Sequence, residues 1–266
     1  RLDQAGYPVP KVYALGGEVQ GFERPFIIMA CIEGGDFTAR FPRSLDDDMA
    51  PLRDFIGLFC QLHSLDWRPY FDQADQLDPP GEPYFHYDRE LAFYASHLSQ
   101  PEFSGLNPIM DWLNAQREKV PCERGSIIHR DFHADNILED TDGQLYVIDW
   151  TGAEISDYRF DLAWTLTLSL AYGGETRRKM ILAEYERQMG QRELELGVFE
   201  VTAILRRMGS VMISLGAGAD SLGMRAEAVE AMRQEKMPLN RLYDRLCHLT
   251  GLDQLPEIED WLGGLG

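Results

Sequence analysis

The sequence predicts an α+β fold in which a small β-rich head joins a larger, mainly helical body, and three observations carry the prediction. Two short runs rich in β-branched and aromatic residues, KVYALGG at 11–17 and PFIIMACI at 25–32, stand close together near the start. From Ser44 onward, and again after Asp161, apolar residues recur at three- and four-residue steps, which is the period of an amphipathic helix. Between these helical tracts lies a polar segment, IIHRDFHADNIL, followed by the turn pair Asp142-Gly143 and a second short apolar run, LYVID.

In chain order, a turn through Gly16, Gly17 and Gly21 makes the first two runs a hairpin, which Gly34 and Gly35 end. Ser44 is the expected cap of a helix whose apolar face is Leu45, Met49, Leu52, Phe55, Ile56, Phe59 and Leu62. Asp46 to Asp48 sit at the positive end of its dipole, and the helix should close near His63, itself read as a satisfied core histidine. The proline-rich, aromatic connector at 66–85 should be irregular. Helices are expected near 88–99 and 108–119, then a strand hairpin around Asp142-Gly143, then helices near 161–172, 175–189, 193–215, 224–236 and 239–249.

Composition bounds the function. A chain of 266 residues with 44% hydrophobic content can fill a core, and no run of about 18 apolar residues suggests a membrane span. A soluble, cytoplasmic protein is expected. Four scattered cysteines, Cys31, Cys60, Cys122 and Cys247, offer neither a paired zinc motif nor a disulfide framework. The net charge of −19 disfavours nucleic acid and anionic membranes and would attract a cationic small molecule.

The polar segment admits two chemistries. Read as HxDxHxD, residues His129, Asp131, His133 and Asp135 alternate as metal-hydrolase ligands would on one strand face, but His63, His86, His97 and His248 add no paired spacing. Read as HxDxxxxN, Asp131 supplies a carboxylate to orient an attacking hydroxyl and take its proton. Asn136, with Asp149 thirteen residues later across the hairpin, then supplies oxygen ligands for Mg²⁺. His133 and Asp135 receive no role in this second reading.

IIHRDFHADNIL followed by LYVIDW resembles the catalytic and metal loops of the aminoglycoside phosphotransferase and choline kinase group, relatives of the protein kinases. GYPVPKVYAL and FIIMACIEGG resemble the last strands of the nucleotide lobe and the hinge. LFCQLHSLDW resembles the helix after it, and DYRFDLAW the segment behind the catalytic loop. The resemblance implies a protein-kinase-like fold, with residues 1–35 a remnant of the N-terminal nucleotide lobe and hinge and 36–266 the helical lobe. It implies transfer of the γ-phosphoryl group of ATP, with Mg²⁺, to a hydroxyl of an aminoglycoside-, choline- or sugar-like acceptor. Asp131 would be the catalytic base, Asn136 and Asp149 the metal ligands, His129 a brace for the loop, and Asp161 an acceptor for the loop's backbone. The backbone of Ala30, Cys31 and Ile32 would meet adenine.

For a cationic acceptor, Glu154 and Asp157 are the candidate carboxylates, and Trp67, Tyr70, Tyr84, Phe85 and Tyr87 could offer cation–π contacts. A glycine-rich phosphate loop and a strand lysine are not found. Lys11, Lys119, Lys179 and Lys236 are the only lysines, and the glycine-rich GAGADSLG at 216–223 reads as a helix break. Either an upstream segment carries those parts, or the chain is a degenerate, catalytically inactive kinase that serves as a binding module.

Overall fold

The computed structural model describes residues 1–17, 25–97, 101–191, 194–217 and 236–265, and the small β lobe with a larger helical lobe expected from the sequence is present. Strands β1 (Val12–Gly16) and β2 (Phe26–Met29) form an antiparallel hairpin. A three-stranded antiparallel sheet has the order β3 (Gly34–Asp36), β5 (Ile137–Asp140), β6 (Leu145–Val147). A third, two-stranded pair joins β4 (Ser126–Ile128) to β7 (Glu154–Ser156). Around them pack α1 (Ala50–Ser64), a single turn α2 (Ala74–Leu77), α3 (Phe85–His97), α4 (Asn107–Gln116), α5 (Tyr158–Met189), α6 (Gly197–Ala217), α7 (Lys236–Thr250) and α8 (Pro256–Gly263). Among the described residues no helix is long and apolar enough to cross a membrane.

Several element ends differ from the sequence reading, each for a local reason. Helix α1 starts at Ala50 rather than at Ser44, because Asp47 folds back to accept the amides of Arg43 and Ser44, and Asp48 accepts that of Ala50. That makes a polar turn of residues 43–48 and leaves Leu45 exposed. Gly34 and Gly35 do not end a strand; they form β3, where a Cβ on Gly34 would lie 1.8 Å from the carbonyl oxygen of Glu139. Only glycine lets the two backbones approach that closely.

The expected helices at 161–172 and 175–189 are one element, capped by the Asp157 side chain on the Arg159 amide and broken at Gly174, whose φ of 77° lies in the left-handed region. Gly21, most of GAGADSLG and most of the expected 224–236 helix lie outside the described residues.

Two apolar clusters fill the interior. One joins α3, α4, α6, α7 and α8. The other lies under the polar segment: Leu52, Phe55, Ile56, Phe59 and Leu62 on α1 meet Phe132, Ile137 and Val147 and, from α5, Leu162, Leu166 and Tyr185. Phe59 and Phe132 stack at 4.2 Å with planes 4° apart, so α1 grips the polar segment by its one buried aromatic. Emptying such a site costs about 3–5 kcal/mol.

Glu200, buried in α6, is shared by Arg178 of α5 and Arg245 of α7, which fixes the three helices' register. Residues 1–9 lie on this body rather than on the hairpin. Tyr7 is buried and donates to the Leu58 carbonyl, and the Pro8 carbonyl accepts from the Val147 amide. The hairpin itself exposes Tyr13, Leu15, Ile27 and Ile28.

Candidate active site

The polar segment leaves β4 at Ile128 and turns sharply at Arg130, whose φ of 72° is left-handed for a residue carrying a side chain. The carboxylate of Asp161, fully buried in the first turn of α5, holds that turn: it accepts the amides of His129 at 2.7 Å and Arg130 at 2.8 Å. His63 Nε2 lies 3.4 Å from the same carboxylate, and Tyr185 reaches His63 Nδ1 at 2.8 Å, so this core histidine belongs to the support. Arg130 points into a forked pair with buried Glu90, which also accepts from Tyr94, and its carbonyl accepts from Arg206. Thr165 donates to the Phe132 carbonyl one turn further along α5.

His129 is fully buried, with Nε2 2.8 Å from the Ile148 carbonyl and Nδ1 accepting the Asp131 amide at 3.3 Å. Both ring nitrogens are therefore used inside the protein. Among the described residues no three His, Cys, Asp or Glu side chains gather as metal ligands, and with His129 spent the HxDxHxD hydrolase reading fails.

Asp131 accepts from Trp164 Nε1 at 2.8 Å and lies 3.4 Å from His133 Nε2. Burial works to raise its pKa, but the His133 hydrogen bond and charge, with smaller help from Trp164 and Arg206, hold the carboxyl down at about 2. His133 shifts the other way. Burial opposes its charge, yet Asp131 on one side and Asp135 and Asp149 beyond raise it.

Asn136 is nearly buried; its Nδ2 donates to the Asp131 carbonyl at 2.8 Å and lies 3.2 Å from His133. The Asn136 carbonyl accepts from the Ile148 amide, because the β5–β6 ladder, with Ile137 opposite Val147, delivers residues 148 and 149 beside it. Asp149 is exposed and left-handed at φ 61°, with its carboxylate taking the Thr151 hydroxyl. Asp131 and Asn136 thus both contact His133, and the β5–β6 ladder brings Asp149 close enough for its charge to act on the same ring.

Four sequence expectations need correction. Asp157 is buried, caps α5 and is clasped by Arg159, so it cannot face a ligand. Glu154 is held by Arg89 at 2.8 Å and by Arg130 at 3.4 Å, inside the protein's own charge network. The aromatic connector lies elsewhere: Trp67 is fully buried and donates to the Gly125 carbonyl, Tyr87 is buried and donates to that of Leu113, and none of the five aromatics lines the cavity at Asp131. The Ala30 amide is already donated to the Lys11 carbonyl at 2.8 Å, which leaves its carbonyl and the backbone of Cys31 and Ile32 at this edge.

Asp131 opens into a cavity of about 980 Å³ between the polar segment, α5 and α6. Trp164, His133, Arg177, Arg206 and Arg207 line it. His133 falls within the HxDxHxD pattern but has no role in the phosphoryl-transfer reading, Trp164 closes the DYRFDLAW segment three residues after Asp161 and so shares its helix face, and the three arginines carry no motif.

The model of the phosphotransferase enzyme family matches residues 1–196, most of the chain and all of the site just described except Arg206 and Arg207 of α6. The chain belongs to this phosphotransferase family. No curated protein matches the sequence. Among solved structures it is similar to a candidate aminoglycoside phosphotransferase from Ralstonia eutropha, with TM-score 0.61 and 18% identity over 91% of this chain and 80% of that one. It is similar too to the choline kinase LicA from Streptococcus pneumoniae, at 0.54 and 16% over 94% and 77%. A thermostable mutant of aminoglycoside phosphotransferase APH(4)-Ia, solved as a ternary complex with ADP and hygromycin B, scores 0.54 at 14% identity over 93% and 78%. At these identities the shared property is the kinase-like fold.

Asn136 Oδ1 and the Asp149 carboxylate fit Mg²⁺ in a phosphotransferase, since that ion takes one or two protein oxygens and completes its shell with phosphates and water.

Proposed function

We propose that the chain catalyses ATP- and Mg²⁺-dependent transfer of a γ-phosphoryl group to a hydroxyl of a small molecule. One observation carries the reading: the ionised Asp131 carboxylate faces a cavity large enough for a metabolite, while the same loop ends at Asn136, next to Asp149. Such a transfer needs little covalent help from the protein. Its transition state is loose, so positioning and charge stabilisation dominate.

The acceptor hydroxyl is oriented by Asp131, whose other contacts, Trp164 and His133, prevent the carboxylate from rotating away. The new bond joins the acceptor oxygen to Pγ and the bond from Pγ to the β–γ bridging oxygen breaks, with ADP leaving and the hydroxyl proton passing to Asp131. A carboxyl held near 2 takes that proton only late, as the oxygen becomes bonded to phosphorus. Bound Mg²⁺, held by Asn136 and Asp149, would neutralise charge on the nucleotide phosphates. Asp161 and His129 keep the loop's turn in place, and the Ala30 carbonyl with the Cys31 and Ile32 backbone would meet adenine.

The test is Asp131→Asn, which keeps the acceptor for Trp164 and removes the base. Nucleotide consumption with a responsive acceptor should fall by a factor on the order of 10² to 10⁴. Turnover unchanged in that variant would refute the assignment.

A further inference from the structure

The whole-chain charge points towards a cationic acceptor, but the cavity beside Asp131 is charged the opposite way. Arg43, Arg177, Arg206 and Arg207 line it against two carboxylates, Asp131 and Asp135. Both carboxylates are committed, Asp131 to Trp164 and His133, Asp135 to Thr38 and His133. Among the described residues none of the four arginines ion-pairs with a carboxylate, whereas Arg40, Arg68, Arg89, Arg117, Arg130, Arg159, Arg178, Arg187 and Arg245 all do.

Arg206 lies over the Trp164 ring at 3.9 Å with one nitrogen on the Arg130 carbonyl, Arg207 holds the Tyr172 hydroxyl, and the buried Nε of Arg177 has no hydrogen-bond partner. Burial lowers the pKa of Arg177, with Arg43 adding to it, and burial with Arg130 lowers that of Arg206. Four cations around one cavity against two carboxylates, in a protein of net charge −19, are an excess of positive charge that an anionic ligand would offset. Asn136, Asp149, Cys31 and Ile32, the nucleotide-side residues of the proposed reaction, do not line this cavity. The arginines stand on the acceptor side of Asp131.

Resting on the phosphotransferase reading above, we infer that the acceptor is a hydroxylated small molecule bearing an oxyanion, a carboxylate or a phosphate ester. The guanidiniums of Arg43, Arg177 and Arg207 clamp the oxyanion and present the hydroxyl to Asp131. Planar guanidiniums match either group by paired hydrogen bonds.

The experiment is calorimetric titration of the Mg·ADP-loaded protein with D-glycerate, glycerol 3-phosphate, glycerol, choline and kanamycin, followed by nucleotide consumption with the same compounds. At least one of the two oxyanion probes should bind and the cations should not; which of the two wins separates carboxylate from phosphate. Arg43→Gln with Arg177→Gln should weaken the oxyanion by a factor on the order of 10 to 100 per arginine. Arg43 is exposed, so Arg43→Glu tests the charge without touching the core, and it should weaken the same probe with no loss of thermal stability.

Phosphorylation of choline or kanamycin, or binding of neither oxyanion at millimolar concentration, overturns the inference while leaving the phosphotransferase reading standing. Oxyanion binding without nucleotide consumption by any acceptor overturns the reading itself, and with it the identification of the bound oxyanion as an acceptor.

Discussion

Asp161→Ala removes the carboxylate that holds the catalytic turn, and its cost can be worked from the contacts. The carboxylate accepts two backbone amides, at 2.7 and 2.8 Å, in a fully buried site. A hydrogen bond to a charged group contributes about 1.5–3 kcal/mol, so the pair accounts for about 3–6 kcal/mol, and alanine leaves both amides without an acceptor. Part returns, because Arg130 no longer has to stay left-handed, a conformation that costs about 1–2 kcal/mol. The net expectation is a loss of about 2–4 kcal/mol, out of a stability of roughly 5–15 kcal/mol. In a domain of this size that lowers the melting temperature by roughly 5–15 °C.

Asp161→Asn keeps one acceptor oxygen and should fall about halfway. Urea unfolding followed by circular dichroism measures both variants against the wild type. A loss below about 0.5 kcal/mol for alanine, or equal losses for alanine and asparagine, would refute the claim that these two hydrogen bonds hold the turn.

Three further outcomes follow from particular contacts. Trp164→Phe keeps the ring under Arg206 but removes the donor to Asp131, so turnover should drop by on the order of tenfold and the acid limb of the rate profile should move up, since that donor helps hold the carboxyl low. A stability loss without a kinetic effect would contradict it. Gly34→Ala drives a methyl into the Glu139 carbonyl and should cost about 3 kcal/mol in urea unfolding, whereas Gly35→Ala, which meets nothing within 4 Å, should cost far less. With an aromatic disulfide reagent at pH 8, exposed Cys31 should react quickly. Burial pushes the Cys60 and Cys122 thiols up to about 12, each with a smaller carboxylate contribution, so their thiolates are scarce at that pH and both should react only on unfolding. Rapid labelling of Cys60 in the native protein, read by mass mapping, would contradict its burial.

What could be read from the sequence was local. The HxDxxxxN spacing, the Asp142-Gly143 turn and the helical period of residues 50–64 are each decided within one element, and the structure has all three elements. Ser44 was a poor guide to the start of α1 because Asp47, three residues on, turns back onto the amides of Arg43 and Ser44 and folds residues 43–48 into a polar turn. Glu154 and Asp157 look free in sequence, since nothing nearby announces that Arg89 and Arg130 will take one and that the other must cap α5.

The cavity's charge was the least legible feature. Arg43, Arg177, Arg206 and Arg207 come together only when α5 and α6 pack beside the segment ahead of α1, and a net charge summed over the chain conceals a local excess of the opposite sign.

The central claim is that Asn136 and Asp149 hold one divalent ion against the phosphates of a nucleotide, beside Asp131. The most direct measurement is ADP binding with Mn²⁺ in place of Mg²⁺, read by the paramagnetic broadening of the metal's electron spin resonance signal, in wild type, Asn136→Ala, Asp149→Ala and Asp131→Asn. The first two variants should each weaken metal-dependent ADP binding by on the order of 10-fold or more, while Asp131→Asn should leave it within about twofold. Unchanged metal–nucleotide binding in both the Asn136 and the Asp149 variants would contradict the account.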